Sequence, residues 1–335
     1  MSITKERMEQ ELILILDTDY IIAGYAGNIT PSCVVPAVVG IPQYSSPEIF
    51  IGEEALEFNE LLNFFYPLLD SHLTELDKLE KLLSYVLLDK LKIHPFQAKN
   101  PIKCWIHSLT LRKKDELTAL FTGSLGTSVP VFLSKTFLPL YSINLSSGIV
   151  IDFEEKVTII DIISENQSKE FYEIAIGRFH VLNEINSVFE SKNISLSHQD
   201  QRSFLENECY IRSDSENPQN LSTPTSFELN SGEQINIGDE RFNVCEILFQ
   251  SDLIEKLATS IAKEQLERRE PINVLLSGVL SKQPGLRARI YQELQNLKSP
   301  SLQLDTVELI QLSSPISSAW RGANSHTLKE KNLKK

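Results

Sequence analysis

Two aspartates close short apolar runs in this chain. Residues 12–17 read Leu-Ile-Leu-Ile-Leu-Asp and residues 148–152 read Gly-Ile-Val-Ile-Asp. A carboxylate at the end of a buried strand can cap a turn or contribute to a divalent-cation site. For Asp152 capping is the simpler role, because one carboxylate without further oxygen ligands holds Mg²⁺ poorly. The segment after it, Phe153-Glu154-Glu155-Lys156, has the composition of a charged turn, in which Lys156 is expected to pair with Glu154 or Glu155 for a small gain. The histidines, His72, His94, His107, His180, His198 and His326, show no metal-ligand spacing. His107 falls in an expected strand and reads as an interior histidine. Cys33, Cys104, Cys209 and Cys245 form no C-x-x-C pair and read as reduced, buried thiols of the cytosol or nucleus. No nucleophile elbow, Walker loop or dinucleotide fingerprint is present.

The elements that position these residues alternate between strand and helix. Residues 20–25 are expected to return as a strand after Asp17. Residues 33–39 form a third strand at a sheet edge, where Pro31 and Pro36 are tolerated. Leu76, Leu79, Leu83 and Leu87 place an amphipathic helix over residues 73–91. Strands follow at 102–109 and 129–133, with helices at 114–120 and at 136–143 despite Pro139. A second hairpin has strands 148–152 and 157–163 joined by a turn at 153–156. Helices are expected at 178–190, 199–211, 250–267 and 284–297, and a strand at 272–277. Residues 213–225, rich in Ser, Asn and Pro, read as a polar, protease-sensitive surface loop. Residues 329–335 read as a disordered basic tail. The strand–turn–strand unit with a terminal Asp occurs twice, which implies two α/β lobes built by duplication.

The composition is globular, and the formal net charge of −13 gives the chain no electrostatic reason to bind bare nucleic acid. The first residues are charged and no apolar run reaches membrane-spanning length, so neither a signal sequence nor membrane insertion is expected.

In order along the chain, several short motifs resemble the actin family. They are Ala23-Gly24-Tyr25-Ala26-Gly27, Pro36-Ala37-Val38-Val39-Gly40, Ile51-Gly52-Glu53-Glu54-Ala55, Tyr66-Pro67, Tyr141, Ser147 through Asp152, and Cys209-Tyr210. The most specific is Ile237-Gly238-Asp239-Glu240-Arg241-Phe242, running on to Phe249-Gln250. Leu276-Ser277-Gly278, Pro284-Gly285 and Trp320 complete the series. The resemblance implies an α/β fold of two actin-like lobes, of the duplicated ribonuclease-H-like kind. It places a tail at residues 1–10, the small lobe at 11–145, the large lobe at 146–315, and a return segment with the basic tail at 316–335.

Against the family pattern the phosphate-binding loops are degenerate. The first family hairpin carries Gly-Ser-Gly. One alignment puts Asp17, Thr18 and Asp19 over it, another puts Asp17 on the family aspartate with a shorter turn, and both leave no glycine. The phosphate-contacting lysine becomes Ile22. In the second hairpin Glu154 and Lys156 replace both glycines, and the hydrolytic glutamine position falls on Lys135. The second glycine of the adenosine-side loop is Val279. Asp152, Gly177, Glu206 and Gly278 remain, with Glu206 read as a solvated helix residue. Such hairpins hold phosphates through bare backbone N–H groups, and each added carboxylate repels a triphosphate by roughly 1–4 kcal/mol.

The family's filament-contacting outer loop is reduced here to residues 43–50, and the stretch after Trp320 does not resemble the family's C-terminal helices. Together these departures imply a non-enzymatic structural subunit with no cofactor and no metal, and with a reduced outer subdomain. Its expected partners are actin or other actin-related proteins in a multi-subunit complex, and it is expected to act as an end-capping or adaptor component of a dynactin-type assembly. The expected location is the cytoplasm and cytoskeleton. A nuclear actin-related subunit of a chromatin-remodelling complex is the alternative, and a residual ATP-binding switch is a third.

Overall fold

A computed structural model describes residues 10–43, 48–58, 61–69, 72–94, 100–107, 110–212, 225–268 and 270–333. The chain divides into two compact units, Met1–Leu145 with Ile316–Lys335, and Ser146–Pro315.

In the first unit β1 (Leu12–Leu16) and β2 (Tyr20–Tyr25) pair antiparallel, from Leu12 opposite Tyr25 to Leu16 opposite Ile21. β3 (Cys33–Pro36) lies antiparallel on the far side of β2, at the sheet edge. β4 (Val39–Pro42) then pairs with β5 (Phe50–Ile51), α1 (Glu53–Glu57) follows, and β6 (Leu62–Phe65) pairs with β4, giving a separate three-stranded sheet. β7 (Leu68–Leu69) and β8 (His72–Leu73) form a short ribbon, and α2 (Leu76–Tyr85) continues into a π turn over Val86–Lys90. β9 (Ile102–Ile106) joins β1 in parallel. After α3 (Lys114–Ala119), β10 (Val131–Ser134) joins β9 in parallel, and α4 (Leu138–Ser142) follows. Pro139 is tolerated in α4 because it sits in the first turn, where its missing N–H has no partner to lose.

Every residue of β1 is buried because both faces of its sheet are covered. Leu12, Leu14 and Leu16 pack with Leu79, Leu83 and Phe121 on one face, while Ile13 and Ile15 pack with Trp105, Leu138 and Trp320 on the other.

The second unit repeats this arrangement. β11 (Gly148–Phe153), β12 (Thr158–Ser164) and β13 (Gln167–Ile174) form an antiparallel meander. After it come α5 (Arg178–Ser191), α6 (His198–Asn207), the ribbon β14 (Thr225–Glu228) with β15 (Gln234–Ile237), α7 (Glu240–Asn243) and α8 (Leu253–Glu267). β16 (Ile272–Gly278) joins β11 in parallel, α9 (Leu286–Asn296) crosses, and β17 (Val307–Gln311) joins β16 in parallel. The orders β3-β2-β1-β9-β10 and β13-β12-β11-β16-β17 are the same topology, three antiparallel strands followed by two parallel ones. α10 (Pro315–Leu333) closes the described chain.

Several expectations are corrected. The strand expected over residues 33–39 is two strands, because the N–H of Val38 donates to the carbonyl of Pro36 at 2.8 Å and turns β4 out of the first sheet. The helix expected over 73–91 ends in a π turn rather than running through. The helix expected over 199–211 stops at Asn207, because the N–H groups of Tyr210 and Ile211 donate instead to Arg241 and Pro284, at 3.0 and 2.9 Å. The helix expected from residue 284 begins at Leu286, since Gly285 adopts φ +83 with Ile211 against it, too close for any side chain.

The basic tail is also corrected. Residues 329–333 belong to α10, which is anchored to the sheet by Lys103–Glu330, 2.7 Å long and with the lysine side chain buried. The first nine residues, residues 44–47 of the β4–β5 connection, residues 108–109 and residues 213–224 of the polar loop lie outside the described residues.

Candidate functional site

Several of the residues singled out from sequence lie in two hairpins, one in each unit. In the first, the N–H of Asp17 donates to the carbonyl of Tyr20 at 3.0 Å, leaving Thr18 and Asp19 at the tip. Neither tip residue has a positive φ, so the turn does not use the left-handed region that glycine opens. The Oδ1 of Asp17 accepts two donors, the ammonium of Lys135 at 2.7 Å and the N–H of Thr18 at 2.7 Å. Lys135 is 8% exposed, and it is placed by the short 3-10 turn Lys135–Phe137 that follows β10. The carbonyl of Asp19 accepts from the N–H of Ala37 at 2.8 Å. Ile22 lies in β2 with its side chain buried.

In the second unit the N–H of Glu154 donates to the carbonyl of Val157 at 2.9 Å, putting Glu155 and Lys156 at the tip. β11 runs one residue further than expected, to Phe153, and within it Asp152 lies opposite Ile159 on one side and Ser277 on the other. This hairpin is packed on the start of α5. The carbonyls of Glu154 and Glu155 accept from the N–H groups of Arg178 and Phe179 at 3.1 and 2.7 Å. The carboxylate of Glu155 accepts from Nε of Arg178 at 2.8 Å, and both side chains are buried. Lys156 stands 5.4 Å from the centre of the Phe179 ring, a cation–π placement. The Glu155 carboxylate pairs with Arg178 because the hairpin folds back onto α5.

The retained glycines are explained by contact. A Cβ on Gly177 would lie 2.6 Å from the carbonyl oxygens of both Glu154 and Glu155. A Cβ on Gly278, at φ +83, would lie 2.2 Å from the carbonyl oxygen of Phe153 and 2.7 Å from a carboxylate oxygen of Asp152. The next residue, Val279, donates its N–H to Phe153 at 2.8 Å. The structure thus brings Asp17 together with Lys135, and Asp152 together with Gly278. Glu206 is an exposed residue of α6. Arg178 was not among the residues singled out. No local pattern marks it, because its partner is set by the fold of a hairpin more than twenty positions earlier.

A sheet of three antiparallel and two parallel strands, built twice, with a hairpin ending in aspartate at the head of each copy, defines an actin-type fold. The chain belongs to the actin family, and the family described as Actin matches residues 8–203 and 197–328. Among curated relatives it is 25% identical over 319 aligned positions to "Actin-related protein 2" of Saccharomyces cerevisiae, covering 85% of this chain and 81% of that protein. It is an actin-related protein with an α/β actin fold.

Proposed function

We propose that the chain is a non-enzymatic structural subunit of an actin-related assembly, acting as an end-capping or adaptor component of the dynactin type. The observation that carries this reading is the internal occupation of the first hairpin. One carboxylate oxygen of Asp17 takes both the tip N–H of Thr18 and the ammonium of Lys135. A hairpin of this kind serves a polyphosphate by leaving backbone N–H groups for it. Here an anion of the chain itself occupies one of them, and a cation neutralises that anion. The second hairpin has no glycine, and its Glu155 carboxylate is likewise taken by a cation of the chain, Arg178. Membership in the actin family and the match to a relative named as an actin-related protein support a place among actin-like partners.

Calorimetric titration of the full chain with ATP and Mg²⁺ tests the non-enzymatic part. No saturable heat is expected up to about 1 mM nucleotide, a limit that corresponds to roughly −4 kcal/mol of binding. A micromolar or tighter isotherm would overturn it. Affinity purification from cells tests the assembly. Recovery of dynein–dynactin subunits is expected, whereas recovery of remodeller motor subunits would replace this reading with a nuclear one.

A further inference from the structure

The two halves of α10 are seated on the first unit by different means. The first, residues 315–325, is packed and bonded. Trp320 and Ala323 are buried in the core with Ile13, Ile15 and Leu138. Gly322 lies against the backbone of Leu138, where a Cβ would meet the carbonyl oxygen at 2.2 Å. The side chain of Asn324 accepts from the N–H of Gly27 at 2.7 Å and donates to the carbonyl of Asn28 at 2.9 Å. Trp320 donates to the same carbonyl at 3.1 Å.

The last two turns, residues 326–333, are seated on polar groups. Among the described side chains no apolar residue after Ala323 joins the buried core, and Leu328 is 39% exposed. Thr327 is fully buried, yet its hydroxyl has no hydrogen-bond partner among the described residues. The buried Nδ1 of His326 also lacks one, as does the indole N–H of Trp105, the ring on which His326 packs at 5.1 Å. A buried polar atom without a partner has given up its hydration with no return, so each of these atoms favours opening of the seat to water.

Charge opposes that opening. The carboxylate of Glu330 accepts from the ammonium of Lys103 at 2.7 Å. Lys103 is buried in β9 and has a second carboxylate, that of Glu11, at 3.7 Å. The lysine therefore keeps a counter-ion when Glu330 leaves, which lessens the usual penalty for breaking a buried ion pair.

We infer that residues 326–333 form a strap that leaves the sheet as one unit while residues 315–325 stay seated, with Glu330 on Lys103 as its latch. Two turns of helix are too short to persist without packing, so release unwinds them. It also uncovers the parts of Trp105 and Tyr141 against which His326 packs. The inference concerns α10 and its seat alone, and stands whether or not the hairpins bind nucleotide.

Residue-resolved hydrogen–deuterium exchange on the full chain tests it. Amides of residues 326–333 are expected to exchange together, about tenfold or more faster than those of residues 320–325. Glu330→Gln removes the charge of the latch and should speed exchange in 326–333 about threefold or more, leaving 320–325 unchanged. Thr327→Val removes the unpartnered hydroxyl at nearly constant shape and should slow exchange in 326–333 about threefold. A rate that only climbs gradually toward Leu333 is the fraying of an ordinary helix end and would overturn the inference, as would equal exchange in the two halves. So would a Glu330→Gln variant in which both halves speed up alike, since α10 would then move as one body. Failure of Thr327→Val to slow the last turns would overturn it too.

Discussion

Gly278 shows what makes a glycine hard to replace in this fold. The residue closes β16 at φ +83, and any Cβ there would meet the backbone of Phe153 at 2.2 and 2.5 Å. The contact is between two strands of the same sheet and needs no ligand to explain it. Gly177 is held in the same way by the carbonyls of the second hairpin. At the hairpin tips, by contrast, Thr18, Asp19, Glu155 and Lys156 adopt ordinary right-handed or extended backbone, so nothing internal demands glycine there. Gly177 and Gly278 are fixed by contact with the protein's own backbone, and no such contact or positive φ fixes the tip positions. Gly278→Ala is therefore expected to destabilise the chain by about 3 kcal/mol or more, through combined backbone strain and steric overlap. Gly123, which has open space around it and no positive φ, gives the control: Gly123→Ala is expected to be neutral or slightly stabilising. Urea denaturation of the two variants checks both, and equal midpoints would show that the sheet relaxes around Gly278 at no cost.

Among the elements, α10 departs furthest from what composition suggests. Its last described turn contains Lys329 and Lys331, which read locally as a solvated tail, yet its inner face carries Trp320 and Ala323 into the core beside Ile13, Ile15 and Trp105. Trp320 also donates its indole N–H to the carbonyl of Asn28 at 3.1 Å, and Glu330 reaches the buried Lys103. The strands and amphipathic helices were legible in sequence because their apolar periods are local. The Leu12–Leu16 run and the leucines of α2 define themselves. The seating of α10 was not legible, since its partners Ile13, Asn28 and Lys103 are some 200 to 300 positions away. The same holds at the site. The absent glycines could be read directly, whereas the pairing of Lys135 with Asp17, 118 positions apart, depends on β10 and β1 flanking β9.

His326 reports on the seat of α10. It packs edge-on against Trp105 at 5.1 Å and beside Tyr141 at 4.8 Å. Burial lowers its pKa from the usual value, Glu330 opposes this, and Lys103 and Lys329 add to the lowering. With the folded pKa below the unfolded one, the unfolded chain takes up the proton first. The neutral imidazole's contribution is fully present above about pH 6.5 and is lost as pH falls below it. His326→Gln should therefore flatten the stability profile between pH 7.5 and 5.5 relative to wild type, by about 1 kcal/mol or less. His198, also lowered by burial and by Arg202 and Arg178, titrates with the same sign in both proteins and cancels in the difference. Parallel profiles for wild type and variant would show that protonation leaves α10 undisturbed.

At the scale of the whole molecule, charge decides which partners are open to it. Acidic residues number 45 against 32 basic ones, a formal net charge of −13. Four basic side chains are held by short ion pairs within the structure. Lys103, Lys135, Arg178 and Arg289 are each tied to carboxylates by bonds of 2.7 to 2.9 Å. Contacts to DNA phosphates draw on lysines and arginines left exposed, because affinity comes largely from counterions released as phosphates are neutralised. With a net charge of −13 its field is repulsive to phosphates at a distance, so the chain should neutralise few of them. Fluorescence anisotropy with a labelled duplex of about 20 base pairs is expected to show no binding up to about 10 µM protein at 50 mM salt, weaker than ordinary non-specific binding at that salt. Micromolar binding that weakens steeply with added salt would mean that a local basic surface overrides the net charge. Such a result would favour a chromatin-bound role over the cytoskeletal one, because the chain would then reach nucleic acid without an intermediary.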